Sequence, residues 1–315
     1  MAIEYYNDRV QVSHKLNREE SNEVNEFLKN NTDKSLRLLW FKDTKELNFM
    51  SDITNAKKIS ISYSELDNID FLENLQNVED LDISEMTGNL DVNAIRNLKN
   101  LKILNLSLNK ATRQTDLSIL DKEIALEEFY FSGKFKKNSL NLNVLKNIKV
   151  LAPQLSTINF KELGDLEYLK EIRLFSQKIT SLDGIEKFTS VEKLLINGIR
   201  MENQDILSPI FNLPNLNNLS LWYVKFIQDF NFIKENHNLS YLNLWTLNGL
   251  KSYKGIEKLT LLKELSHCGE HKNANDINFE NIKSLKKLEK LEIKVGQVNQ
   301  KTSRIIENLK NNICC

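Results

Sequence analysis

Cysteine is scarce in this chain, since its 315 residues include three, Cys268, Cys314 and Cys315. Three thiols cannot supply the several bridges that stabilise a secreted disulfide-rich domain, so that class of protein is excluded. We expect reduced thiols and a cytoplasmic location. The terminal pair could instead be read as a lipidation signal, but it does not match the prenylation pattern and no polybasic segment precedes it.

An excess of charge of either sign is also lacking, because 43 Lys and Arg residues balance 43 Asp and Glu residues. Proteins that bind nucleic acid or a membrane surface normally carry an excess of cations. Long apolar runs are absent too: the N-terminal segment has no apolar leader, and no later stretch approaches the length of a membrane span. We therefore expect neither a nucleic acid nor a membrane as partner.

Motifs that carry catalysis are missing as well: we find no phosphate-binding glycine loop, nucleophile elbow or H-E-x-x-H sequence. Reactive side chains cluster once, at His267, Cys268, Glu270 and His271. A metal site or a thiol nucleophile would need these groups to converge. Adjacent strand residues diverge, so His267 should point inward and Cys268 outward. We expect no catalytic residue, metal, cofactor or small-molecule substrate, and keep a thiol- or metal-dependent enzyme as the alternative from another class.

What the chain does contain is an internal repeat. The pattern apolar-x-x-apolar-x-apolar returns twelve times, and the mean spacing of its first positions is (288 − 36)/11, or about 23 residues. The first positions are Leu36, Ala56, Val78, Leu101, Leu126, Ile148, Leu169, Val191, Leu216, Leu239, Leu262 and Leu288. This period predicts a stack of strands that presents one long surface, and such surfaces bind macromolecules more often than they catalyse.

Each repeat changes period halfway along. Between Leu169 and Phe188, Ile172 and Leu174 alternate as in a strand, and the apolar residues then recur every third position. This change predicts a strand followed by a helical or 3-10 return segment. Gly184 and Gly255 occupy matching places in two repeats, where we expect glycine to relax the turn into the return segment.

The segments KITSLDGIEKFTSVEKLLI and LKSYKGIEKLTLLKELS resemble the leucine-rich-repeat superfamily, and are similar to its subclass with repeats of about 22 residues, found in internalins and protein-phosphatase regulatory subunits. The resemblance implies an α/β fold, a right-handed solenoid with a curved parallel sheet on the concave face and a helical, 3-10 or irregular convex face. It also implies protein binding as the usual role.

The chain departs from the family pattern in two respects. The asparagine that follows each strand in the family is matched at Asn109 but replaced by Met86 and Ile199, among others, so an unbroken asparagine ladder is not expected. In the sixth repeat, Pro153 replaces the third apolar residue and removes a backbone donor. We expect a bulge or kink there, with residues 155–160 as extra or alternative strand.

The ends of a repeat array need caps, because no repeat buries its apolar side alone. We expect an N-terminal cap over residues 1–35, with a short helix whose N-cap is Asn17 or Ser21. The solenoid of about twelve repeats should span residues 36–297. A C-terminal capping helix and the tail that follows it should span residues 298–315. A docking peptide is the alternative role for these helices.

Strand alternation predicts which side chains face a partner, since the third, fifth and seventh residues of each repeat should point away from the core. Several of these positions, and one rim position, are aromatic: Tyr130, Phe175, Trp222, Tyr223, Tyr241 and Trp245. A one-residue register error would turn the tryptophans inward, but Leu221 and Leu244 already occupy inward positions. We predict that these aromatic residues form the binding hot spot of the concave face.

An acidic patch is the weaker candidate site, formed by Asp80, Asp82, Glu85 and Glu128 in the earlier repeats. Its simpler interpretation is solvated charge. If it has a function, the patch would steer a basic partner, and its effect would fade with added salt.

The sequence thus favours a non-catalytic scaffold that holds a protein partner on the concave face, with an inhibitor or immunity-type role as one form. The alternative is a regulatory subunit that positions a phosphatase or another enzyme. A secreted adhesion protein of the internalin kind would require a signal peptide and a wall anchor, which we do not find. Self-association through the exposed aromatic residues is a further expectation.

Overall fold

The computed structural model describes residues 3–111, 114–120, 124–136, 139, 142, 145–154, 159–176, 178–234 and 238–313. The chain divides into two compact units, Met1–Leu155 and Ser156–Cys315. Each unit contains a sheet whose strands lie in chain order, and each is described by itself below.

In the described part of the first unit there are a sheet of eight strands and one α-helix, α1, Arg18–Asn30. Its strands are β1 Ile3–Tyr5, β2 Arg9–Val12, β3 Ser35–Leu39, β4 Lys58–Ser62, β5 Asp80–Ser84, β6 Ile103–Leu108, β7 Glu128–Gly133 and β8 Val150–Gln154. Its 3-10 helices include Thr44–Asp52, Asp70–Asn74, Asn93–Asn97 and Leu117–Ile119. β1 and β2 form an antiparallel pair, and β2 to β8 are parallel.

Among the residues described for it, the second unit has six parallel strands and a C-terminal α-helix, α2, Gln300–Asn311. Its strands are β9 Glu171–Phe175, β10 Lys193–Asn197, β11 Asn218–Trp222, β12 Tyr241–Trp245, β13 Glu264–Cys268 and β14 Lys290–Lys294. Its 3-10 helices are Phe160–Glu162, Ile185–Lys187, Gln204–Asn212, Ile256–Lys258, Ala274–Asp276 and Glu280–Ser284 within the described residues.

The core of each unit is built from the inward side chains of successive strands. In β11, Leu219 and Leu221 are 1% and 0% exposed, and their register partners Leu242 and Leu244 in β12 are 2% and 0% exposed. The residues between them lie on the opposite, open face of the sheet. The predicted alternation and register are therefore confirmed, and with them the leucine-rich-repeat architecture of strands followed by 3-10 return segments.

The phase of the first repeat is a correction to the sequence analysis. Leu36 pairs with Ile59 of β4, so it holds the fourth position of its repeat and not the first. The misassignment arose because Leu39 and Phe41 are also buried, at 4% and 1% exposed, and complete a second apolar pattern that starts at Leu36. In the corrected phase, Trp40 follows the strand in the same way as Tyr63 follows β4.

The N-terminal segment contains a hairpin that the sequence analysis missed as well as the helix that it predicted. α1 begins with Asn17 as its N-cap, and a capping box joins Asn17 to Glu20. The ring of Tyr5 in β1 lies edge-on to Phe27 of α1, with centroids 4.8 Å apart. The alternation in β2 extends over four residues, which is too short a pattern to be distinctive.

Pro153 lies within β8 and pairs in register with Phe131 of β7. Pro153 is buried at an inward position, and the pairing of β8 with β7 continues past it to Gln154. The extra or alternative strand expected over residues 155–160 falls partly on residues 155–158, which lie outside the described residues. Cys314 and Cys315 also lie outside them.

A row of left-handed residues follows the strands, and we call it the rim row. Its members are Trp40, Tyr63 and Glu85 in the first unit and Ser176, Gly198, Tyr223, Thr246 and Gly269 in the second. Each comes directly after its strand, and in the second unit the amides of Ser176, Gly198, Tyr223 and Thr246 continue the ladder. The Tyr223 amide, for example, donates to the carbonyl of Trp245 at 2.8 Å. Left-handed backbone costs a non-glycine residue about 1–2 kcal/mol, so these hydrogen bonds offset a local strain.

The residue after the rim row is apolar in several repeats, where the family has asparagine. Phe41, Met86, Ile199, Val224 and Leu247 are each at most 3% exposed. Apolar packing therefore replaces the asparagine ladder at these turns. Where asparagine is present, Asn109 donates from its side chain to Ser132 Oγ at 3.1 Å.

The two matching glycines start their 3-10 helices as expected, because Gly184 and Gly255 have φ angles of 91° and 96°. Each amide donates to the glutamate two residues later, at 2.9 Å for Glu186 and 2.8 Å for Glu257. A side chain at Gly255 would also collide with the backbone carbonyl of Phe230.

Replacement of Gly255 by alanine should therefore destabilise the second unit strongly. The matched control is Gly198→Ala, which has the same left-handed strain but whose added carbon would meet the Ser176 hydroxyl at 3.3 Å. We expect Gly255→Ala to lower the free energy of unfolding by about 2 kcal/mol more than the control does, because backbone must move. Urea unfolding followed by tryptophan fluorescence measures this difference, and equal losses in the two variants would contradict it.

Candidate protein-binding face

Two predicted tryptophans are direct neighbours on the open face of the second unit. Trp222 ends β11 and Trp245 ends β12, and the two residues are register partners. Trp245 is 40% exposed, whereas Trp222 is partly buried. Both lie opposite the buried leucines of their strands, so the alternation of each strand places the indoles on the side away from the core.

Tyr223 joins this pair from the rim row. Its left-handed backbone, with φ of 54°, follows Trp222 directly, and its ring is 48% exposed. Trp245 Nε1 donates a hydrogen bond to the Tyr223 hydroxyl at 3.0 Å. The three residues Trp222, Tyr223 and Trp245 are therefore in contact through backbone and side chains, and we call them the aromatic cluster.

The neighbouring rim residue leaves room for this arrangement. A side chain at Gly269 would collide with Thr246 Oγ1 and would lie 3.2 Å from Trp245 Nε1. Glycine at this position thus lets the Trp245 indole lie over the turn that follows β13. A shallow depression beside Trp245 is lined by Tyr223, Gly269 and Lys294, among others.

The indole nitrogen of Trp222, unlike that of Trp245, does not donate a hydrogen bond within the described residues. Trp222 Nε1 is shielded from solvent and has no hydrogen-bond partner within the described residues. A shielded donor without a partner costs about 1–3 kcal/mol. Folding alone does not favour tryptophan over phenylalanine at this position, which is consistent with selection for a role at the surface.

Three other predicted aromatic residues are not part of the aromatic cluster. Phe175 lies in the same row of the second unit, but Asn197 separates it from Trp222. Tyr241 starts β12 and is 41% exposed, about 13 Å along the strand from Trp245. Tyr130 lies in β7 of the first unit, where its hydroxyl donates to Glu128 at 2.7 Å.

The predicted set omits several exposed aromatic residues, three of which matter here because they line a depression beside Tyr223 or lie in the rim row. Phe226 is 46% exposed and lines a depression together with Tyr223. In the first unit, the rim residues Trp40 and Tyr63 are 61% and 53% exposed. Both hold the repeat position of Tyr223, so Tyr63 could have been identified from its correctly assigned repeat and Trp40 from the corrected phase.

The four predicted acidic residues occupy two kinds of position. Asp80, Asp82 and Glu128 lie on strands of the first unit, but Glu85 is a rim residue whose carboxylate pairs with Lys110 at 2.5 Å.

Basic and hydroxyl groups also lie beside the strand carboxylates. Lys58 is the register partner of Asp80, and Asp82 accepts a hydrogen bond from Ser60 at 3.0 Å. Burial raises the pKa of both Asp80 and Asp82. A role for this patch in binding stays a prediction.

The reactive side chains near residue 267 separate as expected. His267 points inward and is fully buried, with its Nδ1 hydrogen-bonded to the Tyr253 hydroxyl at 2.6 Å. Cys268 lies on the open face between its register partners Trp245 and Lys294 and is 9% exposed. Within the part of the chain that the structure describes, no three His, Cys, Asp or Glu side chains are grouped so as to hold a metal ion.

His267 and His271 form a buried pair with ring centroids 6.2 Å apart. Burial lowers the pKa of His267 to about 3, and burial also lowers the pKa of His271. The Nε2 atoms of both rings have no hydrogen-bond partner within the described residues. Both rings are therefore neutral at pH 7, and their protonation is linked to unfolding.

The stability of the second unit should consequently fall in acid. As the pH drops below about 6.5, histidine in the unfolded chain takes up a proton while folded His267 does not, until the pH nears 3. Between pH 7 and pH 5 we expect His267 alone to remove about 2 kcal/mol of stability. Urea unfolding at the two pH values measures the loss. The double variant His267→Leu, Tyr253→Phe, which removes both hydrogen-bonding groups, should show a smaller loss, and an unchanged pH dependence would refute the assignment.

Within the described residues, no helix has both the length and the apolar character that crossing a membrane requires. No protein-family model matches the chain, and no curated protein matches it in sequence.

Solved structures, however, are similar to it. They include TLR13 in its complex with ssRNA13, with a TM-score of 0.57 and 16% identity over 90% of this chain and 50% of that one. The Drosophila Toll structure, in complex with Spatzle, has a TM-score of 0.56 and 13% identity over 91% of this chain and 43% of that one. An internalin, InlF of Listeria monocytogenes, has a TM-score of 0.48 and 19% identity over 79% of this chain and 83% of that one.

These identities are low, so the likeness is one of fold. The predicted resemblance to the leucine-rich-repeat superfamily is confirmed at that level.

Proposed function

We propose that this protein is a non-catalytic scaffold that binds another protein on the open sheet face of its second unit. The observation that carries the proposal is the aromatic cluster, in which Tyr223 and Trp245 are 48% and 40% exposed at adjacent repeats. Tryptophan and tyrosine bury a large area with few rotatable bonds, and they are enriched where partner proteins are anchored.

The cluster is also held in place before any partner arrives. The parallel ladder fixes Trp222 beside Trp245, and the hydrogen bond from Trp245 to Tyr223 orients both rings. Side chains that are already ordered lose little entropy on binding, so more of their contact energy contributes to affinity. A rigid aromatic surface of this kind suits recognition of one specific partner.

A protein is a better candidate ligand than a nucleic acid. The similar structures include a complex with the protein Spatzle and a complex with ssRNA13, so the fold is compatible with both classes. The chain has equal numbers of acidic and basic residues, whereas nucleic-acid binding normally requires an excess of cations. Charge balance therefore favours a protein partner.

Within this class, the scaffold acts by covering or bridging. An inhibitor or immunity-type protein would cover the active site of its partner, and a regulatory subunit would position a phosphatase or another enzyme. A cytoplasmic location, expected from the few thiols, is part of the proposal. Self-association through the same aromatic residues is the competing use of the surface.

Alanine at Trp222 or Trp245 should therefore weaken partner binding by at least about tenfold, since truncation of a hot-spot side chain costs on the order of 2 kcal/mol or more. The partner is first recovered by co-purification with the wild-type protein from the source organism, and its affinity for each variant is then measured by calorimetry. Tyr168→Ala is the matched control, because Tyr168 is 57% exposed but lies before β9 and outside the aromatic cluster.

If both tryptophan variants remain folded and bind like the wild type, the proposal is wrong.

Light scattering of the isolated protein tests self-association, and a dimer that dissociates on Trp245→Ala would assign the surface to a second copy of the chain. An activity assay of the recovered partner separates the two roles, because an inhibitor abolishes that activity whereas a regulatory subunit redirects it.

A further inference from the structure

We propose that the partner presents an acidic segment to a row of cations beside the aromatic cluster. This inference rests on the proposed function and names the chemistry of the partner at that site. The cation row consists of Lys178, Arg200 and Lys225, each of which lies three residues after the end of its strand, in β9, β10 and β11.

The fold places these three cations side by side. Lys178 and Arg200 form a parallel bridge beyond the strands, and the amide of Ile179 donates to the Arg200 carbonyl at 2.9 Å. Successive strands are about 4.8 Å apart, so the row spans roughly 10 Å. All three side chains are exposed.

Little negative charge offsets the row. Glu202 lies 3.8 Å from Lys178, while Arg200 and Lys225 have no ion pair within the described residues. Some other cations of the second unit pair with glutamates of the neighbouring repeat, as Lys170 does with Glu192 at 2.6 Å. Like charges on adjacent strands repel, so an anion that binds across the row would relieve an existing repulsion.

The same row borders exposed aromatic side chains. All three cations line one depression together with Tyr223, Phe226 and one carboxylate, Glu202. The Tyr223 hydroxyl accepts its hydrogen bond from Trp245, so its own hydrogen is available to donate to a carboxylate. The lining of the depression therefore offers cations, a hydroxyl donor and an apolar ring, which suits a peptide with alternating acidic and apolar residues.

The other side of the aromatic cluster lacks this character. Lys294 lines the depression next to Trp245, but it is paired with Glu292 at 2.6 Å, and Glu270 lines the same depression. The cation on the Trp245 side is thus paired, whereas Arg200 and Lys225 on the other side of Tyr223 have no ion pair within the described residues. An acidic segment bound at the aromatic cluster should therefore extend toward the cation row.

The dimensions favour a peptide over a nucleic acid. Carboxylates two residues apart on an extended peptide are about 6.8 Å apart, so two of them fit within a cation row roughly 10 Å long. A nucleic acid would draw its affinity from several phosphates along a longer track, with a steep loss of affinity in salt.

The test uses the full-length protein labelled with 5-fluorotryptophan and observed by fluorine NMR. The chain has three tryptophans, so Trp245 and Trp222 report on the site while Trp40 in the first unit serves as the internal reference. The probe is a pentapeptide of alternating glutamate and phenylalanine, and the comparison probes are its lysine counterpart and a ten-nucleotide thymidylate strand. We expect the acidic peptide to shift the Trp245 resonance saturably and to leave Trp40 unmoved.

The variant that decides the role of charge is Arg200→Gln with Lys225→Gln, which should weaken binding of the acidic peptide roughly tenfold. Its matched control is Lys286→Gln with Lys287→Gln, which removes the same charge from exposed residues outside the depression and should bind like the wild type. Equal binding of the lysine peptide, or an unaffected double variant, would overturn the inference. Tighter binding of thymidylate would overturn it in favour of a nucleic acid.

Failure of this inference is distinguishable from failure of the proposed function. If Trp222→Ala and Trp245→Ala abolish binding of the recovered partner but the acidic peptide does not bind, the cation row is not a docking site and the scaffold proposal stands. If the peptide binds through Arg200 and Lys225 while the tryptophan variants bind the partner normally, the scaffold proposal fails and the assignment of an anion-binding site at the cation row stands.

Discussion

The stacking of inward side chains between neighbouring strands is the interaction on which the rest of this structure depends. A single repeat exposes one side of its apolar residues, and only the next repeat covers it. Leu221 and Leu244 meet in this way, and because they face inward, Trp222 and Trp245 must face outward. The position of the aromatic cluster is thus a consequence of how the core is built.

The repeat period was enough to predict eleven of the twelve repeat starts and the two faces of the sheet. It failed at Leu36, where Leu36, Leu38, Leu39 and Phe41 are all buried and two phases fit equally well. Periodicity reports which residues are apolar, and only the pairing with Ile59 shows which of them hold equivalent positions.

The composition of the candidate site was harder to predict. Trp222 and Trp245 followed from alternation, but the contact between Trp245 and Tyr223 depends on a left-handed backbone that tyrosine seldom adopts. Local sequence does not signal such a conformation, since glycine is the residue that normally marks it. Cys268 was placed on the correct face, but its register partners, Trp245 and Lys294, lie more than twenty positions away along the chain.

The rim row has a consequence for engineering. At Trp40 and Tyr223 the side chain is exposed, the amide is already bonded to the next repeat, and the adjacent apolar residue, Phe41 or Val224, fills the interior. The identity of the outward group is therefore largely decoupled from the packing beneath it. Randomising these positions offers a way to redirect the binding specificity of the scaffold without redesigning its interior.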